Sequence, residues 1–147
     1  MITVLFACVH NTGRSQMAEA FFNRMADPTK ARAISGGKEP ATGMNPTVIA
    51  VMREVGIDLI ADGHRPKIAD LDRLIEGDRP ISMGCGVELA CPARLGRMED
   101  WGLDDPKGQP IEQVRAIRDD IRRRVEALVD DMRAAAPVYL GVADHAG

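Results

Sequence analysis

No stretch of this chain stays apolar for the roughly 20 residues that a membrane-spanning helix requires. Nothing charged precedes the short apolar run that begins at Ile2, so a signal peptide is not read there either. Both absences lead us to expect a cytoplasmic protein with neither membrane nor secretory business, whose thiols stay reduced. Charge of one sign is also missing: the formal net charge is -3, which gives no broad basic surface for a nucleic acid. Cysteine is scarce and odd in number, three in 147 residues. That is a poor start for a disulfide framework and a better one for nucleophilic or redox use. No internal repeat, low-complexity segment or interdomain linker interrupts the chain. No large uncovered apolar face stands out, so a monomer is expected.

What is present reads as one α/β domain over residues 1–136, with 137–147 as a tail loosely held at the end. Ile2 to Cys8 is apolar without alternation, as in a strand buried on both faces of a parallel sheet. Ser15 to Asp27 follows as a helix whose apolar face is Met17, Ala18, Phe21, Phe22 and Met25. Ala31 to Ser35 reads as a second strand. Asn45-Pro46 opens a second helix, with Val48, Ile49, Met52 and Val55 inward and Gly56 at its end. A weaker helix is expected over Lys67 to Ile75, a third strand over Arg79 to Met83, and a fourth near Arg94 to Met98. A long helix from Ile111 to Ala135 carries the stripe Val114, Ile117, Ile121, Val125, Leu128 and Met132. Arg122, Arg123 and Arg124 lie on its solvated side. Alternating strands and helices predict a four-stranded parallel sheet flanked by helices on both faces, with any ligand at the carboxyl ends of the strands.

One octet lies at such an end: Cys8-Val9-His10-Asn11-Thr12-Gly13-Arg14-Ser15. A loop of this length between strand and helix aims several backbone N–H groups at one point and adds the positive end of the helix. Arg14 can grip an oxyanion as a planar fork. Asn11 and Gly13 are residue types that tolerate the left-handed backbone a cradle needs. The same field acts on Cys8. A free thiol titrates near ~8.5, and helix ends and cations lower that, so Cys8 is expected to be a thiolate with Ser15 hydrogen-bonded to it. The expected anion ligands are Val9, His10, Asn11, Thr12, Gly13, Arg14 and Ser15; His10 also reads as a plain rim residue.

Displacing an oxygen from phosphorus or arsenic calls for an acid to protonate it. Asp105, before Pro106, is the candidate and Asp104 its neighbour in reserve, although an Asp-Pro pair also simply starts turns. Cys85 and Cys91 carry three readings: buried small hydrophobes, a zinc pair without partners at recognisable spacing, or a redox relay, which the glycines at 84 and 86 would suit. Six residues apart on a helix they would face about 240° apart and sit roughly 9 Å apart along it, whereas a disulfide wants alpha carbons within about 7 Å. The segment from Cys85 to Pro92 is therefore expected to be mobile.

The octet resembles that of the low-molecular-weight protein tyrosine phosphatase fold, and within it the arsenate reductases. The resemblance takes in Gln16-Met17-Ala18-Glu19, Met83-Gly84-Cys85-Gly86, Cys91-Pro92 and the run Asp100-Trp101-Gly102-Leu103-Asp104-Asp105-Pro106. It implies Cys8 as nucleophile, Asp105 as general acid, and a thiol cascade through Cys85 and Cys91, with arsenate as substrate and phosphate or sulfate as mimics. No tightly bound cofactor or metal is implied. The electron donor would be thioredoxin, or a small thiol such as mycothiol with a glutaredoxin-like partner. Arginine outnumbers lysine 15 to 4, as in GC-rich sources where such thiols occur. Asn11, Glu19 and Ser35 match positions that bind potassium in some relatives. The competing reading is a phosphatase using the same loop; against it, Lys107 and Gly108 follow the Asp-Pro pair where an aromatic clamp would be expected, and Tyr139 is the only tyrosine. A third reading is a noncatalytic redox sensor or an oxyanion-binding protein, using Cys8 for binding but not for turnover.

Overall fold

The computed structural model describes the backbone of residues 1–84 and 92–146, with side chains through 134. Cys85 and Cys91, and with them residues 85–91 of the segment expected to be mobile, lie outside the described residues. The elements are β1 (Ile2–Cys8), α1 (Arg14–Met25), β2 (Ala31–Gly37), α2 (Pro46–Glu54), β3 (Arg79–Ser82), β4 (Glu99–Asp100) and α3 (Ile111–Ala146). The strands form one parallel sheet in the order β2-β1-β3-β4. β1, apolar on both sides, takes a central place between β2 and β3. Its last residue, Cys8, pairs with Gly37, so the thiol emerges at the carboxyl edge near the middle of the sheet.

Alternate residues of β1 serve two cores. Val4, Phe6 and Cys8 face a large cluster built with α1, α2 and α3, which includes Met17, Phe22, Met52, Ile121 and Val125. Phe6 meets the rings of Phe22 and Trp101 at 6.3 and 5.4 Å. Leu5 turns the other way, against Leu71 and Leu74. That second face is covered by a 3₁₀ turn at Leu71–Arg73, where the sequence predicted a helix over Lys67–Ile75. The reason lies in the backbone. Gly37 donates to the Lys67 carbonyl and accepts from Ala69 N–H at 2.8 and 2.9 Å, so residues 67–69 are held extended beside β2 and cannot coil. Only after Asp70, whose side chain caps Asp72 N–H, does one turn form.

Three other boundaries move. The fourth strand is Glu99–Asp100, not Arg94–Met98: Ala93–Leu95 is a 3₁₀ turn stopped by Gly96 at φ 73°. The Arg94 guanidinium ties that turn to the carbonyls of Leu71, Asp72 and Leu74. β2 continues through Gly37, because glycine at 36 lets Ala69 approach; a Cβ there would stand 2.4 Å from the Ala69 Cα. The last helix runs to Ala146, past the end expected near Ala135. Its long apolar stripe is as expected, with Val114, Ile121 and Val125 fully buried. Arg122, Arg123 and Arg124 pair with Glu126 and Asp120 on the solvent side. Among the described residues no helix is long and apolar enough to cross a membrane.

α2 and α3 are clamped by Glu54, whose carboxylate meets Arg115 at 2.7 Å and Arg118 at 2.8 Å. The Arg115 hydrogen bonds foremost, then Arg118, hold its carboxyl down at about 2, against an ordinary 4.5. A carboxyl depressed in the folded state stabilises above its unfolded value and loses that contribution as the pH falls through the folded one. The melting-temperature gap between wild type and Glu54→Gln is therefore expected to be constant above about pH 4.5 and to close toward pH 2, measured by thermal denaturation across that range.

Candidate active site

β1 ends at Cys8 and α1 begins at Arg14, leaving five residues to turn the chain. The turn is made at Asn11, which has φ 57°, the left-handed form expected of it. Gly13 does not share that role. Its φ is -142°, and its lack of a side chain serves packing instead: a Cβ would stand 2.9 Å from Pro106 Cγ. Glycine at 13 thus lets the loop bearing Asp105 close against the loop bearing Cys8.

The sulfur is 4 % exposed as part of its residue and is met from two sides. Asn11 N–H donates to Cys8 Sγ at 3.1 Å, and Ser15 Oγ lies 2.9 Å from it. Ser15 Oγ already accepts from Asn11 Nδ2 at 2.7 Å. Its own hydrogen is therefore available to a thiolate. The amino end of α1 has no side-chain cap and no acidic residue in its first turn, so no carboxylate of that turn offsets its positive dipole end. That cavity measures about 350 Å³ and is lined by residues 8–14, Gly84 and residues 103–107. Val9, His10, Asn11, Thr12, Gly13 and Arg14 thus share one wall. Ser15 stands behind it, fully buried. His10 sits on the exposed rim, where Nδ1 donates to the Glu39 carbonyl at 3.0 Å.

Arg14 is buried and joins three segments. Its Nη1 donates to the carbonyls of Met83 at 3.2 Å and Leu103 at 2.8 Å, and its Nη2 lies 3.8 Å from Asp105 Oδ2. The guanidinium therefore holds the thiol loop, the end of β3 and the acid loop around one cavity. Asp105 Oδ1 accepts from Lys107 N–H at 3.0 Å, and its side chain is 57 % exposed. Asp104 also lines the cavity. Behind the acid loop, Asp100 Oδ1 accepts from Ser82 Oγ at 2.6 Å and from Gly84 N–H at 2.9 Å. The Ser82 hydroxyl foremost, with the Gly84 and Gly102 amides, holds its carboxyl below the ordinary 3.8.

Sequence reasoning gave no role to Gln16, His64 or Lys67, which the fold places directly behind the loop. Lys67 N–H donates to Asn11 Oδ1 at 3.0 Å. The Lys67 ammonium reaches Glu19 Oε1 at 3.3 Å and Ser35 Oγ at 3.2 Å. Two of the three positions at which resemblance put potassium thus face an ammonium of the protein's own. No local signal marks His64 or Lys67, because both reach the site from a segment some 50 residues away; Gln16, beside Ser15, was open to suspicion as a polar residue on the buried side of an amphipathic helix.

Comparison with known proteins gives the chain a family. Residues 3–137 match the family described as low molecular weight phosphotyrosine protein phosphatase. A putative arsenate reductase of Halobacterium salinarum is 41% identical over 130 residues, covering 86% of this chain and 89% of that protein. A glutaredoxin arsenate reductase of Synechocystis is 39% identical over 132 residues, covering 88% and 97%. Among solved structures, an arsenate reductase in the phosphate binding state superposes with a TM-score of 0.74 at 37% identity, covering 89% of this chain and 98% of that one. With its thiol loop, its parallel sheet and a match over nearly its whole length, the chain belongs to the low-molecular-weight phosphotyrosine protein phosphatase family.

Proposed function

We propose that this protein reduces arsenate to arsenite. Cys8 thiolate attacks the arsenic of an oxyanion held by the loop amides and Arg14. One arsenic–oxygen bond breaks, and Asp105 protonates the departing hydroxyl so that it leaves as water. Cys85 thiolate then attacks Cys8 Sγ. The sulfur–arsenic bond breaks with its electron pair passing to arsenic, so As(V) becomes As(III) and arsenite departs. A Cys8–Cys85 disulfide remains. Cys91 attacks Cys85, moves the disulfide to Cys85–Cys91 and returns Cys8 as thiolate; each transfer is thiolate exchange. A thioredoxin- or glutaredoxin-type partner, or a small thiol, reduces the outer disulfide.

The observation that carries this reading is the pair of contacts on Cys8 Sγ, Asn11 N–H at 3.1 Å and Ser15 Oγ at 2.9 Å, beside Arg14. Two similar proteins named for arsenate reduction support the choice of oxyanion. The phosphatase alternative shares the loop, but no Phe, Tyr or Trp is among the described residues that line the cavity. The test is to incubate the reduced protein with arsenate and map disulfides by mass in wild type and in Cys91→Ser. A Cys85–Cys91 bond in the first and a trapped Cys8–Cys85 bond in the second are expected. Steady aryl phosphate hydrolysis with no arsenate-dependent disulfide in either protein would replace the reductase with the phosphatase.

Asp105→Asn keeps the shape of the turn and, through its side-chain oxygen, the bond from Lys107 N–H, but has no acidic proton to give. It is expected to lower kcat for arsenate by about 10²-fold, the usual share of a positioned acid. KM should change little, because the anion is held by the opposite wall. Initial rates of arsenite formation check both numbers.

A further inference from the structure

Gln16 is fully buried on α1, and fixed partners surround its amide. Nε2 lies 3.1 Å from the Asn11 carbonyl oxygen, 2.9 Å from Asn11 Oδ1 and 2.9 Å from the Arg65 carbonyl oxygen. All three are acceptors, so this end of the amide is the donor and Oε1 is turned to His64 Nδ1, 2.8 Å away. His64 Nδ1 also lies 3.2 Å from Glu19 Oε2. Facing two oxygens, that nitrogen carries hydrogen whether the ring is neutral or charged.

Asn11 is oriented just as firmly. Its Oδ1 accepts from both Gln16 Nε2 and Lys67 N–H, which leaves Nδ2 to donate to Ser15 Oγ. The donors therefore run one way, from His64 to Gln16 to Asn11 to Ser15 and on to Cys8 Sγ. Bonds aligned in this manner strengthen one another. Asn11 is also the one described non-glycine residue with positive φ, a conformation that such a residue keeps only where its surroundings hold it. Gln16 grips both its carbonyl oxygen and its side chain.

We propose that Gln16 is a positioning residue for the Cys8 thiolate: it pins Asn11 in the left-handed form that aims its N–H at the sulfur and turns the Ser15 hydroxyl the same way. This rests on the reading of Cys8 as the attacking thiolate. Gln16 touches neither the sulfur nor the anion and acts only through Asn11. His64 supports the far end of the amide and is secondary to it.

The test uses the full chain carrying Cys85→Ser and Cys91→Ser, so that Cys8 is the only thiol, and follows its alkylation by iodoacetamide against pH. In this parent the midpoint is expected well below ~8.5. Gln16→Met fills the same space without a donor, and should raise the midpoint by about one pH unit, a tenfold smaller thiolate fraction at pH values below both midpoints. In the three-cysteine enzyme the same substitution should lower kcat by about tenfold, while inhibition by inorganic phosphate shifts less than roughly threefold, since no direct anion contact is lost. A lower melting temperature with an unmoved midpoint would leave Gln16 a packing residue and overturn the proposal. A parent midpoint near ~8.5 would instead overturn the thiolate reading itself, a distinct result. Should Gln16→Met fail to fold, His64→Gln, which keeps a donor, is compared with His64→Phe, which removes it. A raised midpoint in the second alone supports the relay, and equal midpoints overturn it.

Discussion

Cys8→Ser is expected to abolish arsenate reduction and any aryl phosphate hydrolysis together, by a factor on the order of 10⁴ or greater. A hydroxyl at position 8 would receive the same two contacts, from Asn11 N–H and Ser15 Oγ, yet two hydrogen bonds and a helix end cannot ionise an alcohol near neutral pH. Sulfur is easily ionised and polarisable, and it can leave again when a second thiol attacks. Oxygen fails at the first step and has no counterpart to the last. Anion binding should survive, because Arg14 and the loop amides are untouched. The measurement is a pair: arsenite formation under turnover, and phosphate binding by calorimetry. Loss of the first with the second kept within a few fold is the expected pattern. Appreciable arsenate reduction by the variant would shift the nucleophile away from this loop.

Why this much could be read from the chain, and no more, follows from where each constraint acts. β1 and the octet were legible because their signals are local: an apolar strand, a thiol at its end, and a helix whose apolar face starts within four residues. The same holds for the Asn45-Pro46 helix start, where the Asn45 side chain accepts from Thr47 N–H and Val48 N–H. Lys67–Ile75 misled because its helical pattern is overruled by Gly37, some 30 residues earlier, which draws the backbone into an extended bridge. Gly13 misled differently. Glycine permits positive φ and also permits close approach, and sequence cannot say which is in use; here Pro106 is the reason. The support behind the loop was hidden for the same cause. Gln16, His64 and Lys67 acquire meaning only when residues 64–67 are laid against Asn11. Legibility thus fell off with sequence separation: the octet is eight consecutive residues, whereas its supports come from a segment some 50 residues away.

Arg14→Lys is the second large effect, because one side chain holds two kinds of partner at once. Its Nη1 is committed to the Met83 and Leu103 carbonyls, which leaves the other nitrogens of the planar fork for an anion in the cavity. Lysine offers three donors radiating from one point on a flexible stem. It can serve the carbonyls or the oxyanion, not both in the same geometry. kcat/KM for arsenate is expected to fall by about 10³-fold, the scale of losing a preorganised donor at the developing charge together with bidentate grip. KM should rise and kcat should fall, unlike Asp105→Asn, where kcat alone falls. The fold should also loosen, because two charge-assisted bonds within a buried setting are worth about 1.5–3 kcal/mol each when intact. Trp101 reports on that loosening. It is the only tryptophan, it packs 5.4 Å from the Phe6 ring, and it lies two residues before the Leu103 carbonyl that Arg14 holds. Red-shifted emission and a lower denaturation midpoint should therefore accompany the kinetic loss. If emission and stability match wild type while kcat/KM collapses, Arg14 acts on the anion alone, and the union of the thiol loop with the acid loop has another cause.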